Sequence, residues 1–427
     1  MTRPVQAIVL AAGRGTRMRS AEPKVLHKIF DKPLLDYPLE SLERLGIRQP
    51  IVVVGWGKEK VISYLNGRVR AIVQSPQLGT GHAVQVAGGK ISRFQGDVLV
   101  WPADMTLVRQ ETIKRLLQDH PKSGSTVTIL SSFMVDPTGY GRIIRRGGRV
   151  VGIREELDAN LEEKRVHEVN TGVYLFEPKA LFDALGKIRP TNQKKEYYLT
   201  DTIHLIYEAG GQVEALPYAS PEEAQGINSQ TDLARAVRIM NQQNIRKHQI
   251  QGVTIVSPEQ TFIAPDVRIG QDTVIYPWTY IENGVRIGRR CQIGPFAKIR
   301  SGTVLGDGSI IGSFVEINRS KIGKKVLAKH LAYLGDAEVG DGTNIGAGTI
   351  TANYDGKTKQ RTRIGKRAFI GVDTIFVAPV QVGDRAKTGA GAVLTRGTKV
   401  KEGEVYVGVP ARSLRKKNGK WQKRLRK

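Results

Sequence analysis

His330 and Tyr333 stand three residues apart in KHLAYLGD (329–336), just after a long six-residue beat slips. A free imidazole titrates near pH 6.5, so a histidine is partly neutral at cellular pH and suited to general-base work. Two readings are open at this point: a catalytic base set into a break in the repeat, or an irregular corner where a coil changes phase. A second group lies near the start of the chain. LAAGRGTRM (10–18) follows an apolar run, and its glycines let backbone N–H groups face an anion while Arg14 and Arg17 add positive charge. The stretch lacks the lysine–serine ending of a Walker loop and departs from the dinucleotide-binding spacing, and any tight turn favours glycine. Asp104 ends VLVWPAD. A carboxylate leaving a strand there can hold Mg²⁺ against phosphates, because a hard cation takes oxygen ligands; a loop aspartate also serves as a turn-former or cap.

Two different periodicities must position these residues. Up to about residue 230, AIVLAAG, PIVVVGW, RAIVQ and VLVWPAD read as buried strands, while LLDYPLESLERLG and ETIKRLLQDH carry apolar residues at helical spacing. That alternation predicts an α/β fold, a mixed, mostly parallel sheet covered by helices, with ligands beyond the carboxyl ends of the strands. Residues 230–250 read as one long helix, a connector. From Ile263 to Ile317 an aliphatic residue recurs every six positions without a miss. A hexapeptide repeat of this kind predicts a parallel β-helix, three units to each triangular coil, with the aliphatics stacked inside. After the slip, Ile345, Ile364, Ile370, Phe376 and Val382 resume the pattern around an insertion, TANYDGKTKQRT. Flat solenoid faces make a homotrimer the expected assembly.

A chain of 427 residues is expected to form two or three domains. No apolar run approaches the roughly 18 residues of a membrane helix, and MTRPVQAIVLAAG is too short and poorly flanked for a secretion signal. One cysteine, Cys291, fits a reducing compartment, so a cytoplasmic protein is expected. The net charge of +26 suggests polyanionic partners but names none. Part of it lies in RSLRKKNGKWQKRLRK (412–427), read as a loose basic tail. No aromatic stacking motif or basic helix supports nucleic acid, and no membrane partner is expected.

The motifs together resemble a known family. LAAGRGTRM with Lys24, QLGTGHA (77–83), DPTGYGRI (136–143), VNTGVY (169–174), EYYLTD (196–201) and HLAYLGDAEVGDGTNIGAGTITANYDG (330–356) are similar, in order and over nearly the whole chain, to the bifunctional GlmU family of bacteria. Those enzymes join an N-acetylglucosamine-1-phosphate uridylyltransferase to a glucosamine-1-phosphate N-acetyltransferase. The resemblance implies a Rossmann-like nucleotidyltransferase domain over 1–229, a linker helix over 230–251, a left-handed β-helix acetyltransferase domain over 252–411 and a tail over 412–427. It implies that Leu10, Ala11, Ala12 and Gly13 line the nucleotide, that Lys24 and Arg17 meet the phosphates, and that Gln74, Gly79 and Thr80 contact the uracil end. Gly141, Glu155 and Asn170 would hold the sugar, and Asp104 and Asn228 would bind Mg²⁺. In the second domain His330 would be the base that takes a proton from an amine attacking a thioester. Arg300, Tyr333 and Asn344 would contact glucosamine-1-phosphate, and Ala347, Asn353, Tyr354 and Ala390 would lie along acetyl-CoA. UTP and acetyl-CoA are the substrates so implied.

Four positions depart from the family pattern. Ala103 replaces a glycine beside Asp104, which narrows backbone approach. Asn318 replaces a phosphate-binding lysine, with Arg319, Lys321 and Lys329 as candidates to supply the charge. Val372 replaces a serine, and Gly408 an arginine for which Arg412 and the tail are candidates. These departures leave two alternatives: a sugar-1-phosphate nucleotidylyltransferase with lost or altered acetyl transfer, and a non-catalytic regulatory or scaffold protein built from the same pair of domains.

Overall fold

Val-, Ile- and Leu-rich runs buried on both faces pair best as neighbouring parallel strands. In the computed structural model, which describes residues 3–417 and 420–423, such runs form one sheet in the first half. From edge to edge its strands are Val213–Leu216, Val127–Phe133, Glu168–Phe176, Asp97–Pro102, Val5–Ala11, Ile51–Val54 and Arg70–Val73, with the hairpin Arg142–Arg146 and Arg149–Arg154 attached to one side. Glu168–Phe176 runs antiparallel to both its neighbours; the other pairings along this path are parallel. Alternate residues feed two cores. Ile8, Val53 and Val100 pack on one face, and Val9, Val52 and Trp101 on the other, all at most 1% exposed. Arg70–Val73 departs from the expected buried strand. It is the last strand of the sheet, paired on one side only, and its ends are exposed.

The chain divides into two compact units, Met1–Val237 and Arg238–Lys427, and the helix Gln230–Ile250 runs through the division. Within the second unit this helix does more than connect. Asn241 Oδ1 accepts from Ile263 N–H at 2.9 Å and its Nδ2 donates to the Thr261 carbonyl at 2.7 Å, so the helix satisfies backbone groups of the first coil.

The second unit is a prism of short parallel strands. Ile263, Ile281, Ile299, Ile317 and Leu334 stack in one register, each fully buried. A second register runs Ile269, Ile287, Leu305, Ile322, Val339, Ile364, Val382 and Val400 along a separate eight-stranded sheet. The slip consists of two five-residue steps, Ile317 to Ile322 and Leu334 to Val339, after which the six-residue step returns. Buried hydroxyls hold the coils where an aliphatic would not reach: Thr273 donates to the Gly288 carbonyl at 2.9 Å, Ser309 to Gly323 at 2.8 Å and Thr343 to Gly365 at 2.7 Å. Glycine recurs beside the second register for want of room. A Cβ on Gly306 would stand 2.6 Å from the Gly323 carbonyl carbon. The loose tail expected over 412–427 is corrected in part. Arg412–Lys417 pairs antiparallel with Val405–Val407 and with Lys420–Lys423; residues 418, 419 and 424–427 lie outside the described residues.

Because Ile299 is wholly enclosed between Ile281 and Ile317, Ile299→Ala is expected to cost about 2–5 kcal/mol. Lys298→Ala, at the exposed neighbouring position, should stay within about 0.5 kcal/mol. Urea midpoints of the two variants, compared with the parent, check the contrast.

Candidate functional site

The first strand, Val5–Ala11, ends in Ala12 and Gly13, and the turn closes with Gly15 at φ +60° before the short helix Thr16–Met18. Gly15 also makes space: a Cβ there would lie 2.8 Å from Lys24 Cβ. Lys24 uses that space to reach the carboxyl end of Asp97–Pro102. Its ammonium lies 2.5 Å from Asp104 Oδ2 and 3.0 Å from Asn228 Oδ1. Two hard oxygens thus converge on one cation, which is the donor set a Mg²⁺ ion prefers. Asp104 and Asn228 fit the metal that the family implies, with phosphate and water oxygens to complete the shell. Lys24 occupies their common focus.

Arg17, Thr80, Asp104, Gly141, Glu155, Asn170 and Asn228 all line one cavity of about 700 Å³. Leu10, Ala11, Ala12, Gly13, Lys24, Gln74 and Gly79 stand outside its wall. The family-like segments QLGTGHA and EYYLTD are stitched together: Tyr197 N–H donates to the Leu78 carbonyl, Gly81 N–H to the Tyr197 carbonyl, both at 2.8 Å, and Leu199 N–H to Thr80 Oγ1 at 3.0 Å. Gln74 is buried beneath this seam, its amide donating to the Gly79 carbonyl at 2.9 Å with the His82 ring 3.1 Å away. Asn170 is fixed at both ends, its Nδ2 donating to Tyr174 Oη at 2.7 Å and its Oδ1 accepting from Gly172 N–H at 2.9 Å. Glu155 accepts from Thr200 Oγ1 at 3.1 Å, and burial pushes its carboxyl above the usual carboxylate range. Ala103 corrects the expectation attached to it. Its methyl is fully buried in the core with Trp101 and Met105 and does not enter the cavity wall.

Asp232 was not singled out by the sequence reasoning. Its Oδ2 accepts from Asn228 N–H at 3.1 Å and Ser229 N–H at 2.9 Å, while Asp232 N–H donates to Ser229 Oγ. This reciprocal cap holds Asn228 at the start of Gln230–Ile250, and its signature, Ser229-Gln-Thr-Asp232, is visible in the chain. Thr200 was missed as well; no spacing rule points to it.

In the second unit, His330 is exposed at a corner of the prism, opposite Ser313 in register and followed by Leu331 at φ +38°. Successive coils set Ala347, Val372 and Ala390 in the same corner column: Gly348 N–H donates to the Leu331 carbonyl, Asp373 N–H to Ala347 and Gly391 N–H to Val372. Tyr333 lies on the adjoining face. A Cβ on Gly335 would meet Tyr333 Oη at 2.6 Å and Asn353 Nδ2 at 2.8 Å, so Gly335 lets the phenol lie flat beside Asn353. Arg300 pairs with Glu316 at 2.9 Å and with Glu282 at 3.4 Å. Asn344 sits one coil beyond Leu327, and Tyr354, exposed, donates to the Gly356 carbonyl within the insertion.

Of the three candidates to replace the lysine absent at Asn318, Lys321 lies on the separate eight-stranded sheet and not on the strand that carries Tyr333. Arg319 stays next to Tyr333 but is engaged twice by Asp336, both contacts at 2.8 Å. That arginine, with Asn353 adding a second donor, holds the Asp336 carboxyl below the usual carboxylate range.

Comparison with known proteins follows the same division. Residues 7–190 match the MobA-like NTP transferase domain family. Residues 266–301 and 284–319 match the bacterial transferase hexapeptide family (six repeats), and 361–396 the hexapeptide repeat of succinyl-transferase. The chain is 41% identical over 425 aligned positions to the protein named "Bifunctional protein GlmU" from Carboxydothermus hydrogenoformans, covering 92% of this chain and 95% of that one. It is 40% identical over 456 aligned positions to the protein of the same name from Caldanaerobacter subterraneus subsp. tengcongensis, covering 99% and 98%.

Two outcomes are expected from this geometry. Removing the ammonium in Lys24→Met should tighten Mn²⁺ binding by the nucleotide-free protein about tenfold or more, read by electron paramagnetic resonance of free Mn²⁺, because a like charge leaves the focus of Asp104 and Asn228. For Glu155, a raised folded-state pKa means that stability is fully present below the unfolded value of 4.5 and is lost as pH rises through the folded one. The melting temperature of Glu155→Gln relative to the parent should therefore climb with pH from 4.5 upward, and a flat difference contradicts the assignment.

Proposed function

The chain belongs to the family of bifunctional GlmU proteins, and from that premise we propose how its residues carry out the two transfers that make UDP-N-acetylglucosamine. The chain transfers an acetyl group from acetyl-CoA to glucosamine-1-phosphate, then a uridylyl group from UTP to N-acetylglucosamine-1-phosphate. The alternatives, loss of acetyl transfer and a non-catalytic scaffold, draw no support from relatives named for two functions.

In the first unit the sugar-phosphate oxygen attacks the α-phosphorus of UTP, the new P–O bond forms as the bond to the β-phosphate breaks, and pyrophosphate leaves. The nucleophile is already anionic, so the protein's work is positioning and charge neutralisation. Leu10 to Gly13 line the nucleotide, Lys24 and Arg17 meet the phosphates, and Gln74, Gly79 and Thr80 form the uracil end. Gly141, Glu155 and Asn170 hold the sugar. Mg²⁺, held by Asp104 and Asn228, would supply further neutralisation of phosphate charge when bound. The convergence of Lys24, Asp104 and Asn228 beside a glycine turn is the observation that carries this reading.

In the second unit His330 takes the proton as the amine of glucosamine-1-phosphate attacks the thioester carbonyl, and coenzyme A leaves as its thiolate. Arg300, Tyr333 and Asn344 hold the sugar phosphate. Ala347 and Ala390 keep the column above His330 low enough for a pantetheine arm, with Asn353 and Tyr354 flanking it. The homotrimer belongs to the same reading. Trp278, Phe296, Phe314 and Leu331, each 46–62% exposed, run along the corner that also carries His330, with the three rings stacked at 6.3 and 5.2 Å, and an exposed apolar ladder of this length suits packing between copies. A cytoplasmic location fits a single buried cysteine and, among the described residues, no helix long and apolar enough to cross a membrane.

A pair of assays tests the two-site reading. His330→Ala should abolish release of free thiol from acetyl-CoA and glucosamine-1-phosphate, by about 10²-fold or more, and leave pyrophosphate release from UTP and N-acetylglucosamine-1-phosphate intact. Equal loss of both activities would sink it.

A further inference from the structure

The eight-stranded sheet forms one flat face of the prism, and its outward residues pair in strict register: Arg268, Arg286, Val304, Lys321, Glu338, Arg363, Gln381 and Lys399. All five cations of this row are exposed. Its one carboxylate, Glu338, is held by Arg361 at 2.7 Å and Arg363 at 3.0 Å. The adjoining corner extends the charge with the exposed pairs Arg289–Arg290, Lys324–Lys325 and Lys366–Arg367. The aspartates of the intervening coils accept from main-chain N–H groups of the same corner. Asp307 accepts from Arg289 N–H, Asp341 from Lys324 N–H and Asp384 from Lys366 N–H, at 2.7–2.8 Å.

Stacking Arg268 directly against Arg286 works against the fold, since like charges opposite each other across strands are destabilising. A break with a local stability rule of this kind points to a role outside folding. Eight parallel strands span roughly 34 Å at about 4.8 Å each, and a shallow depression of about 750 Å³ lies among Lys321, Arg363, Lys366 and Lys399. Nucleic acids are gripped by elements that enter a groove or by aromatic rings that stack on bases. This row has neither. A rigid, planar array of cations fits a planar array of anions. We propose that this face docks the protein on an anionic lipid bilayer. The inference does not rest on the catalytic reading.

Flotation of the full chain with phosphatidylcholine vesicles containing about one-third phosphatidylglycerol, beside pure phosphatidylcholine, tests it. Binding is expected to the anionic vesicles alone, at about 0.1 M salt and lost near 1 M. Each cation at an anionic surface contributes about fivefold, so Lys321→Gln/Arg363→Gln/Lys399→Gln should lower the partition coefficient about hundredfold. The same neutralisation at Arg93, Lys114 and Lys179, exposed in the first unit, should leave binding within a few-fold of the parent. Melting curves confirm that both variants fold. Equal loss in the two variants would reduce the effect to net charge and overturn the proposal. So would an absence of vesicle binding, or binding to a DNA duplex, tested alongside, that depends on these residues while vesicle binding does not.

Discussion

Pairing of backbone groups between parallel strands is the constraint from which both halves of this molecule follow. A parallel strand satisfies its N–H and C=O groups only through neighbours in matched register, so the strand interior is committed to packing. Side chains are free for chemistry where pairing stops. In the first unit that is the carboxyl edge of the sheet, where Val5–Ala11 gives way to the glycine turn and Asp97–Pro102 to Asp104. In the second unit His330 is reached differently: the strand Leu327–Gly335 carries its pairing through the corner, with His330 in register opposite Ser313, and the bend there turns the imidazole outward.

The parts legible in the sequence are those this constraint writes with a period. The six-residue recurrence from Ile263 to Ile317 states the stacking register directly, and every one of those side chains is buried. The alternation of apolar runs gave the first sheet, and the glycine turn and Asp104 announced its working edge. What stayed hidden depends on the neighbour, not the residue. RAIV looks like any buried strand until the topology leaves it at the end of the sheet. Ala103 reads as an intrusion on a ligand until its methyl is found in the core. Asp232 was legible through its capping signature, but its importance appears only once Asn228 is seen to depend on it. The slip is real, yet it amounts to two shortened steps, one on each side of His330, and the steps that flank the imidazole, Ile322 to Ala328 and Ala328 to Leu334, keep six residues.

Electrostatics divides the two candidate sites in character. In the first, a lysine ammonium rests among oxygens suited to a metal, so the charges are arranged to be exchanged when ligands arrive. In the second, Arg319, Asp336 and Asn353 form a closed set that fixes the face beside Tyr333. Asn318 is buried there, its main-chain carbonyl accepting from Asp336 N–H at 3.0 Å and Ser320 Oγ at 2.9 Å.

The amide of Asn241 has a further consequence. A stack of coils ends in unpaired strand edges, and two such ends meeting would let molecules add to one another without limit. By occupying the Thr261 carbonyl and the Ile263 N–H, one side chain of a helix closes one face of the first coil to a stranger's backbone, while the antiparallel return of Arg412–Lys417 onto Val405–Val407 covers one face at the other end. Each such cover removes a place where a repeat with geometric reason to grow into a fibre could add a further strand.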